Sequence, residues 1–275
     1  MSTKTDDPIS RKVSFIHISD THLGENKDFI LYNQNTYQKT TNLIKAINSF
    51  SAPVDFVIHT GDVVNEPTKA SYELVKDIFS SLNHPILYVT GNHDYPEHIS
   101  WLNSSNQSGF DLVPLTAGSY HFNYGHYKVL SLDCKGSPQI DPHGDFGYLQ
   151  EKDLVWFLRR FDDDPKIIFT HFPPVSLDVP WIDREMLLFN GERFHDTLLK
   201  YGNNVLGVFI GHIHHRLVLN KDGILYTSAP SPICQFNISP LDQKVAFDCN
   251  VPASFNYITL VNNNILIKEI TTESP

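Results

Sequence analysis

Apolar runs of strand length alternate with segments of helical periodicity along the first part of the chain. The apolar runs predict buried strands at residues 13–19, 54–60, 85–90, 129–133, 166–170 and 205–211. Between them, apolar residues at helical spacing predict helices at residues 36–50, 68–82 and 149–161. This alternation is typical of βαβ units.

The pattern changes after Arg216, where short strands are predicted near Leu217 and at residues 224–228, 257–261 and 265–270. A βαβ first half and a largely β second half predict two sheets that face each other, with helices outside. We expect one domain over residues 13–270, with flexible termini at 1–12 and 271–275. Functional groups are then expected in the loops at the carboxyl ends of strands.

Composition narrows the class of protein. Hydrophobic residues make up 41% and charged residues 19%, as in a soluble globular protein. No apolar run approaches the roughly 20 residues that span a bilayer, and the polar N-terminal segment is expected to be neither a signal nor a transit peptide. We therefore expect no membrane association. The formal charge of −10 without a Lys/Arg cluster argues against a nucleic-acid polymer as partner.

The cysteines are Cys134, Cys234 and Cys249, and they form no C-x-x-C pair. An odd number without this spacing argues against a disulfide framework. The sequence thus predicts packed, unpaired cysteines in a reducing, cytoplasmic compartment.

Polar residues follow the predicted strands in an ordered series. The clusters are Asp20-Thr21-His22, Gly61-Asp62, Gly91-Asn92-His93-Asp94, His171 and Gly211-His212-Ile213-His214. One D-x-H or G-H-x-H is a weak signal, whereas the full series after successive strands is specific. These side chains are expected to converge on one rim of a sheet.

This combination of side chains predicts a metal centre. Imidazole and carboxylate suit zinc, manganese and iron, and the lack of cysteine argues against a closed structural zinc site. The set exceeds what one tetrahedral ion needs, so we expect two ions that share a carboxylate. Such a pair clamps the attacking and leaving oxygens of an in-line displacement. Gly61, Gly91 and Gly211 are expected to permit tight turns close to the ions. The candidate ligands are Asp20, His22, Asp62, Asn92, His171, His212 and His214.

The ordered motifs resemble those of the calcineurin-like metallophosphoesterase superfamily over roughly residues 13–235. The resemblance implies an α/β fold, a four-layer α-β-β-α sandwich of two facing mixed β-sheets flanked by helices. It also implies two divalent or trivalent metal ions, of iron, manganese or zinc. The implied first site is Asp20, His22 and His214, the second is Asn92, His171 and His212, and the bridge is Asp62.

The resemblance places His93 outside the ligand set. There it would contact the scissile phosphate and stabilise or protonate the leaving oxygen, with Asn92 also facing the substrate. Asp94 either orients His93 for catalysis or caps a loop. His215, which follows a ligand, is a further candidate for the substrate pocket.

Residues that differ from the motifs of other branches of the superfamily narrow the range of expected substrates. Asn65 stands where purple acid phosphatases carry a tyrosine ligand, and His93 stands where lipid-linked pyrophosphatases carry arginine. Segments 19–23, 170–174, 229–236 and 144–157 resemble the class III cyclic-nucleotide phosphodiesterase and glycerophosphodiesterase group. This implies hydrolysis of a small-molecule phosphodiester, with 3′,5′-cyclic AMP as the leading candidate. Alternatives are a glycerophosphodiesterase, a broad-specificity phosphodiesterase or phosphatase, and an inactive metal-binding scaffold.

Several features stay without a catalytic assignment. His17 and His59 lie inside predicted strands and are expected to be packed and hydrogen-bonded. Segment 100–126 is either an insertion that lines a pocket or a long loop. The resemblance also permits a homo-oligomer. The remaining histidines are expected to be exposed or structural: His84, His98, His121, His126, His143 and His195.

Overall fold

The computed structural model describes residues 12–105, 109–136 and 146–271. Its helices are α1 Thr36–Ser49, α2 Lys69–Phe79, α3 Pro96–Ser105, α4 Glu151–Arg160, α5 Pro180–Glu185 and α6 Gly191–Tyr201. Its strands are β1 Val13–Ile18, β2 Ile30–Leu31, β3 Gln34–Asn35, β4 Phe56–His59, β5 Ile86–Tyr88, β6 Val113–Thr116, β7 Ser119–Tyr124, β8 Tyr127–Ser131, β9 Lys166–Phe169, β10 Val205–Ile210, β11 Leu217–Lys221, β12 Ile224–Ser228, β13 Gln235–Phe236, β14 Phe247–Asp248, β15 Ser254–Val261 and β16 Asn264–Thr271.

Two mixed sheets contain most of these strands. The five-stranded sheet has the order β16-β15-β1-β4-β5, and the seven-stranded sheet has the order β11-β12-β10-β9-β8-β7-β6. β1, β4 and β5 are parallel, with Ile18 opposite His59 at the carboxyl end of the first pair. β8, β9, β10 and β12 are likewise parallel in the second sheet. The strand ends that precede the polar motifs therefore lie on shared edges.

Apolar side chains divide the molecule into layers. Phe15 and Phe56 of one sheet pack with Phe169 and Phe209 of the other in a core between the sheets. A second core joins the outer face of the first sheet to α1, α2 and α3, and a third joins the outer face of the second sheet to α4 and α6. The expected four-layer α-β-β-α sandwich of two facing mixed sheets is confirmed.

The helices begin where local sequence supplies a cap. The Asn35 side chain accepts a hydrogen bond from Gln38 N at the start of α1, and Thr68 forms a capping box with Ser71 at the start of α2. None of the helices in the described ranges has the length and apolar content that a membrane span requires.

Segment 100–126 has regular structure where the structure describes it, unlike the long loop that was one of its two predicted forms. Where the structure describes it, it contains the end of α3 and the hairpin β6–β7, which extends the second sheet. The Asn103 side chain ties α3 to β5 through Tyr88 N and O, each at 2.9 Å, and Tyr120 and Phe122 are buried between the sheets. The described part of the segment packs into the core and lines a cavity of about 740 Å³ that contains none of the candidate ligands, so it is not a long loop.

The other predictions agree with the structure only in part. The predicted strands and helices are present with ends shifted by a few residues. The elements that were not predicted are the helices α3, α5 and α6 and the strands β2, β3, β6, β7, β13 and β14. Residues 1–11, 106–108, 137–145 and 272–275 lie outside the described residues, and with them the expected flexible ends, His143 and the start of segment 144–157. The single domain over residues 13–270 stays a prediction.

Candidate metal centre

The loops that follow β1, β4, β9 and β10 meet at one edge of the sandwich. Backbone hydrogen bonds tie them together, including Asp20 N to Gly61 O at 3.0 Å and Gly211 N to His171 O at 2.9 Å. His212 N also donates to Asp20 Oδ2 at 3.1 Å. These bonds bring the predicted residues of distant motifs into one buried cluster.

One group within the cluster contains Asp20, His22 and His214. The Nε2 atoms of His22 and His214 are 3.0 Å apart, and His214 Nε2 is 3.6 Å from Asp20 Oδ1. The candidate ligand atoms of all three residues lie within 4.8 Å of one another, and all three residues are buried. This is the geometry of three side chains that surround a single point.

A second group contains Asp62, His171 and His212, with Asn92 at its side. His171 Nε2 is 3.4 Å from Asp62 Oδ2, 3.2 Å from His212 Nδ1 and 3.0 Å from Asn92 Oδ1. Asp62 Oδ2 is also 3.6 Å from His22 Nε2 of the first group. Asp62 Oδ1 accepts a hydrogen bond from His93 N at 2.9 Å, so the other oxygen is the one that faces both groups.

The donor set fits metal ions. His171 Nδ1 hydrogen-bonds Thr60 O at 2.7 Å and His214 Nδ1 hydrogen-bonds Cys234 O at 3.2 Å, which directs the Nε2 lone pairs inward. Asp20 Oδ1 and His212 Nε2 are buried without a hydrogen-bond partner in the described part of the chain. Buried carboxylate and imidazole atoms left in this way are suited to cations.

Ionisation favours the ligand forms of these side chains. Burial lowers the pKa of His22 and His212 well below the ordinary value and that of His214 to about 4, so these imidazoles are neutral near pH 7. Burial raises the pKa of Asp62, but the charges of His171 and His93 outweigh burial and hold it well below its usual range.

Asp20 and His171 behave differently. Burial raises the pKa of Asp20 to about 7. Burial opposes protonation of His171, but the Asp62 carboxylate outweighs it and raises the pKa of His171 to about 9. A metal ion bound by His171 would therefore have to displace a proton.

The backbone at the cluster is strained. Five of the candidate ligands adopt the left-handed conformation, which costs free energy for residues other than glycine. Gly61 also has a positive φ of 100°, and a Cβ atom at Gly91 or Gly211 would lie 2.2 Å from Asp62 N or Ser19 Oγ. The φ values are 58° at Asp20, 42° at His22, 52° at Asp62, 69° at His212 and 52° at His214.

His93 and Asp94 follow Asn92 but have separate surroundings. His93 is half-buried, and its Nδ1 lies 2.7 Å from Asn65 O, while a candidate ligand atom of His93 groups with those of His22 and Asp62. Asp94 is buried and accepts from Gly91 N at 2.9 Å and from Val63 N and Val64 N at 3.3 Å.

These contacts bear on the two expectations for Asp94. Among the described contacts the Asp94 carboxylate has none with the His93 ring, which is oriented by Asn65 O instead. Asp94 joins the loop after β4 to the loop after β5, as a cap does. The geometry therefore favours the capping alternative over a catalytic role for Asp94.

The remaining histidines lie outside the two groups. His17 and His59 are buried in β1 and β4 and hydrogen-bond Thr60 Oγ1 and Thr21 Oγ1, each at 2.9 Å, as expected of packed residues. His215 is half-buried beside the Phe236 backbone, and it is not among the described residues that line the cavity beside Asn92 and His212. Its role in substrate binding stays a prediction.

A cavity of about 400 Å³ opens over the second group. Asn92 and His212 line it together with Phe146, Glu185 and Met186, which sequence reasoning missed because they belong to no motif. Larger cavities of about 810, 740 and 750 Å³ lie elsewhere and contain none of the candidate ligands. The smaller cavity is therefore the relevant one for chemistry at the cluster.

Known proteins resemble this chain in sequence. The model of the family described as calcineurin-like phosphoesterase matches residues 13–216. A probable glycerophosphodiester phosphodiesterase GpdQ from Arcobacter nitrofigilis is 28% identical over 230 residues, 79% of this chain and 77% of that protein. The 3′,5′-cyclic adenosine monophosphate phosphodiesterase CpdA from Escherichia coli K12 is 28% identical over 229 residues, 82% of this chain and 78% of that protein.

Solved structures share the fold. Purple acid phosphatase PPD1 from yellow lupin superposes with a TM-score of 0.61 at 15% identity over 96% of this chain, which spans about half of that protein (52%). GAP50 from Plasmodium gives a TM-score of 0.59 at 14% identity, over 94% of this chain and 84% of that one.

Proposed function

The chain belongs to the calcineurin-like phosphoesterase family, and on that premise we propose that it hydrolyses a small-molecule phosphodiester, with a 3′,5′-cyclic nucleotide as the leading substrate class. The observation that carries the proposal is the pair of buried ligand groups that meet at Asp62 Oδ2. Relatives at 28% identity named as cyclic-AMP and glycerophosphodiester phosphodiesterases support the phosphodiester class.

We assign the ligands by the two groups. Asp20, His22 and His214 would hold one ion, Asn92, His171 and His212 would hold the other, and Asp62 would be shared between them. Iron, manganese and zinc all accept this ligand set. When bound, two such ions stabilise charge on phosphoryl oxygens and lower the pKa of water to near neutrality.

His93 is the residue we assign to the substrate. The hydrogen bond of its Nδ1 with Asn65 O fixes the ring and leaves Nε2 as the nitrogen available to a ligand. Because Nδ1–H donates to Asn65 O, Nε2 carries a proton only in the imidazolium form, and in that form it donates to an oxygen of the phosphate or of the leaving group, where a single preorganised donor contributes about 10²–10³ in rate. Asn92, at the same loop, faces the cavity.

The cavity favours a cyclic nucleotide over a glycerophosphodiester. Its volume of about 400 Å³ falls within the range of small-molecule sites. Phe146 is 37% exposed and Met186 is half-buried, so both offer apolar surface on which a base can stack. The Glu185 carboxylate, on the same wall, accepts hydrogen bonds from the amino group of a base.

A comparison of rates tests the function. The protein is assayed with cyclic AMP, cyclic GMP, glycerophosphocholine and a phosphomonoester, with manganese, zinc or ferrous iron added, beside the Asp62→Ala variant. We expect cyclic AMP to be turned over fastest and Asp62→Ala to be inactive. A faster rate for glycerophosphocholine would favour the second candidate. If no substrate is turned over with any metal, the result would support the alternative of an inactive metal-binding scaffold. A cytoplasmic location and a homo-oligomer stay predictions.

A further inference from the structure

Two cysteines face each other at the end of the hairpin formed by β13 and β14. The ladder pairs Gln235 with Asp248, and Phe236 with Phe247. Asn237 N donates to Ala246 O at 2.8 Å, which continues the same register inward. One step outward in this register places Cys234 opposite Cys249.

This placement satisfies the main geometric condition for a disulfide. Directly opposite residues of an antiparallel pair have Cα atoms about 4.5–5.5 Å apart, within the range of about 4.4–6.8 Å that a disulfide spans. Both cysteines are free thiols, with Cys234 buried and Cys249 half-buried. The side chains of Cys234 and Cys249 are within hydrogen-bonding reach of each other, so the two sulfur atoms lie close together.

The same segment supports one of the candidate metal ligands. Cys234 O accepts the hydrogen bond from His214 Nδ1 at 3.2 Å, and the Phe236 ring stacks on the His214 imidazole at 4.4 Å with an interplanar angle of 12°. Ser231 N also donates to His214 O at 3.0 Å. A shift of Cys234 therefore changes the hydrogen bond that orients the His214 ring.

The partner strand is held from the opposite side. Lys39 Nζ, on α1, donates to Cys249 O at 3.4 Å and to Val251 O at 3.3 Å. An S–S bond of about 2.05 Å is shorter than any contact between two separate thiols, so Cys234 Sγ, which lies 3.9 Å from His214 Nδ1, or Cys249 Sγ has to shift when the bond forms. Because Lys39 ties Cys249 to α1, Cys234 is the residue expected to move.

We propose that Cys234 and Cys249 are a reversible disulfide site whose closure weakens metal binding through His214. The second half of this statement rests on the ligand role proposed above for His214. The mechanism is the loss of orientation of the His214 ring when its acceptor, Cys234 O, is displaced. Such partners of metal-bound histidines typically contribute about 10–100-fold in metal affinity.

The oxidant is a low-molecular-weight disulfide of the glutathione class. The deprotonated sulfur of half-buried Cys249 attacks one sulfur of that disulfide, which forms a mixed disulfide and releases one small thiolate. The Cys234 sulfur then attacks the Cys249 sulfur, and the second small thiolate leaves. The two protons of the cysteines end on the two released thiols, so the pair loses two electrons and the oxidant gains them.

Cys134 supplies an internal control. It is buried in the loop after β8, and its Sγ lies 2.7 Å from Thr170 Oγ1. It has no cysteine opposite it in the described ladders, so oxidation by a small disulfide is expected to leave it reduced. A thiol count that falls by two, with Cys134 still alkylated, is thus the signature of the pair.

The test compares the purified full chain in reduced and oxidised glutathione. Peptide mapping after alkylation is expected to find a Cys234–Cys249 cross-link in the oxidised sample, reversed by dithiothreitol. Titration of each form with Mn²⁺ or Zn²⁺ is expected to give about tenfold weaker binding after oxidation. Cys249→Ser, which cannot close the bond, is expected to bind metal equally under both conditions.

Each other outcome overturns a stated part. No cross-link in the folded protein refutes the disulfide site, and a cross-link with unchanged metal affinity refutes the coupling to His214. If Cys249→Ser does not fold, Cys134→Ser with an intact pair serves as the comparison and has to respond as the wild type does. Mapping and metal titration require no turnover, so a failure of the phosphodiesterase assay leaves this test unaffected.

Discussion

The substitution Asp94→Asn separates a structural role of Asp94 from a catalytic one. Asp94 Oδ2 accepts from Gly91 N and Val63 N, and Oδ1 accepts from Val64 N. Asparagine keeps the shape but replaces one acceptor oxygen with an NH₂ group. Whichever way the amide faces, at least one of these buried backbone N–H groups loses its acceptor.

The magnitude follows from these contacts. One buried donor without a partner costs about 1–3 kcal/mol, and the remaining bonds lose the benefit of a charged acceptor. We therefore expect Asp94→Asn to lower the free energy of unfolding by about 2–4 kcal/mol. Val64 and Gly91 lie close in sequence to the proposed ligands Asp62 and Asn92, so metal affinity is expected to fall as well.

Urea unfolding and kinetics at several metal concentrations check this prediction. If Asp94 only holds the two loops, saturating metal restores most of kcat in Asp94→Asn. Tyr72→Phe is the matched control: it removes the hydroxyl that accepts from Tyr95 N at 2.7 Å and donates to Asp94 Oδ1 at 3.5 Å, costs about 1 kcal/mol, and leaves the three amide bonds of Asp94 in place. Wild-type stability of Asp94→Asn, together with a kcat that metal does not restore, would refute the reasoning and return Asp94 to catalysis.

Three further outcomes are expected. His93→Ala keeps both metals by elemental analysis and loses about 10²–10³ in kcat, and an unchanged rate contradicts its role. Phe146→Ala raises KM for cyclic AMP about tenfold, because stacking on one aromatic ring contributes about 1–3 kcal/mol, while KM for glycerophosphocholine changes little; equal losses speak against base stacking. Burial lowers the pKa of His17 to about 3, so between about pH 6.5 and 3 the unfolded chain binds a proton there that the folded chain does not. His17 thus lowers the free energy of unfolding by about 1.4 kcal/mol for each pH unit of acidification in this range. The free energy of unfolding of His17→Gln, measured at pH 7 and pH 5, is therefore expected to fall less between the two pH values than that of the wild type.

Sequence patterns predicted the strands that end at the motifs because those strands are continuous apolar runs, buried on both faces of a parallel arrangement. The hairpin β6–β7 was missed although Tyr120, Phe122 and Tyr124 alternate with polar residues, the period of a strand. Its Ser, Asn and Gly content resembled a loop. His121 also breaks the simple pattern, since it is buried against Trp156 and Phe157 of α4.

The candidate ligands were predictable because each carries its chemistry in its own motif, and the walls of the cavity were not. Phe146 precedes α4, whereas Glu185 and Met186 lie at the end of α5. No spacing in the sequence links these elements. They meet because Leu188 N donates to Pro173 O and Phe189 N to Gly147 O, contacts that exist only in the folded chain. Substrate preference is therefore harder to predict than reaction class.

The strained ligand backbone has a cause in the sheet itself. β1 and β4 pair in parallel up to Ile18 and His59. Beyond the strands the pairing continues as loop bonds from Asp20 N to Gly61 O, His22 N to Asp62 O and Leu23 N to Val63 O, each at 3.0 Å. These bonds hold Asp20, His22 and Asp62 in the left-handed conformation, at about 1–3 kcal/mol for each residue. The extended ladder of hydrogen bonds thus offsets the strain. The same ladder holds Asp20 and His22, two ligands of one proposed metal site, beside Asp62, the proposed bridging ligand. A substitution that weakens this ladder is therefore expected to relax the backbone and lose metal together, even where no ligand is changed.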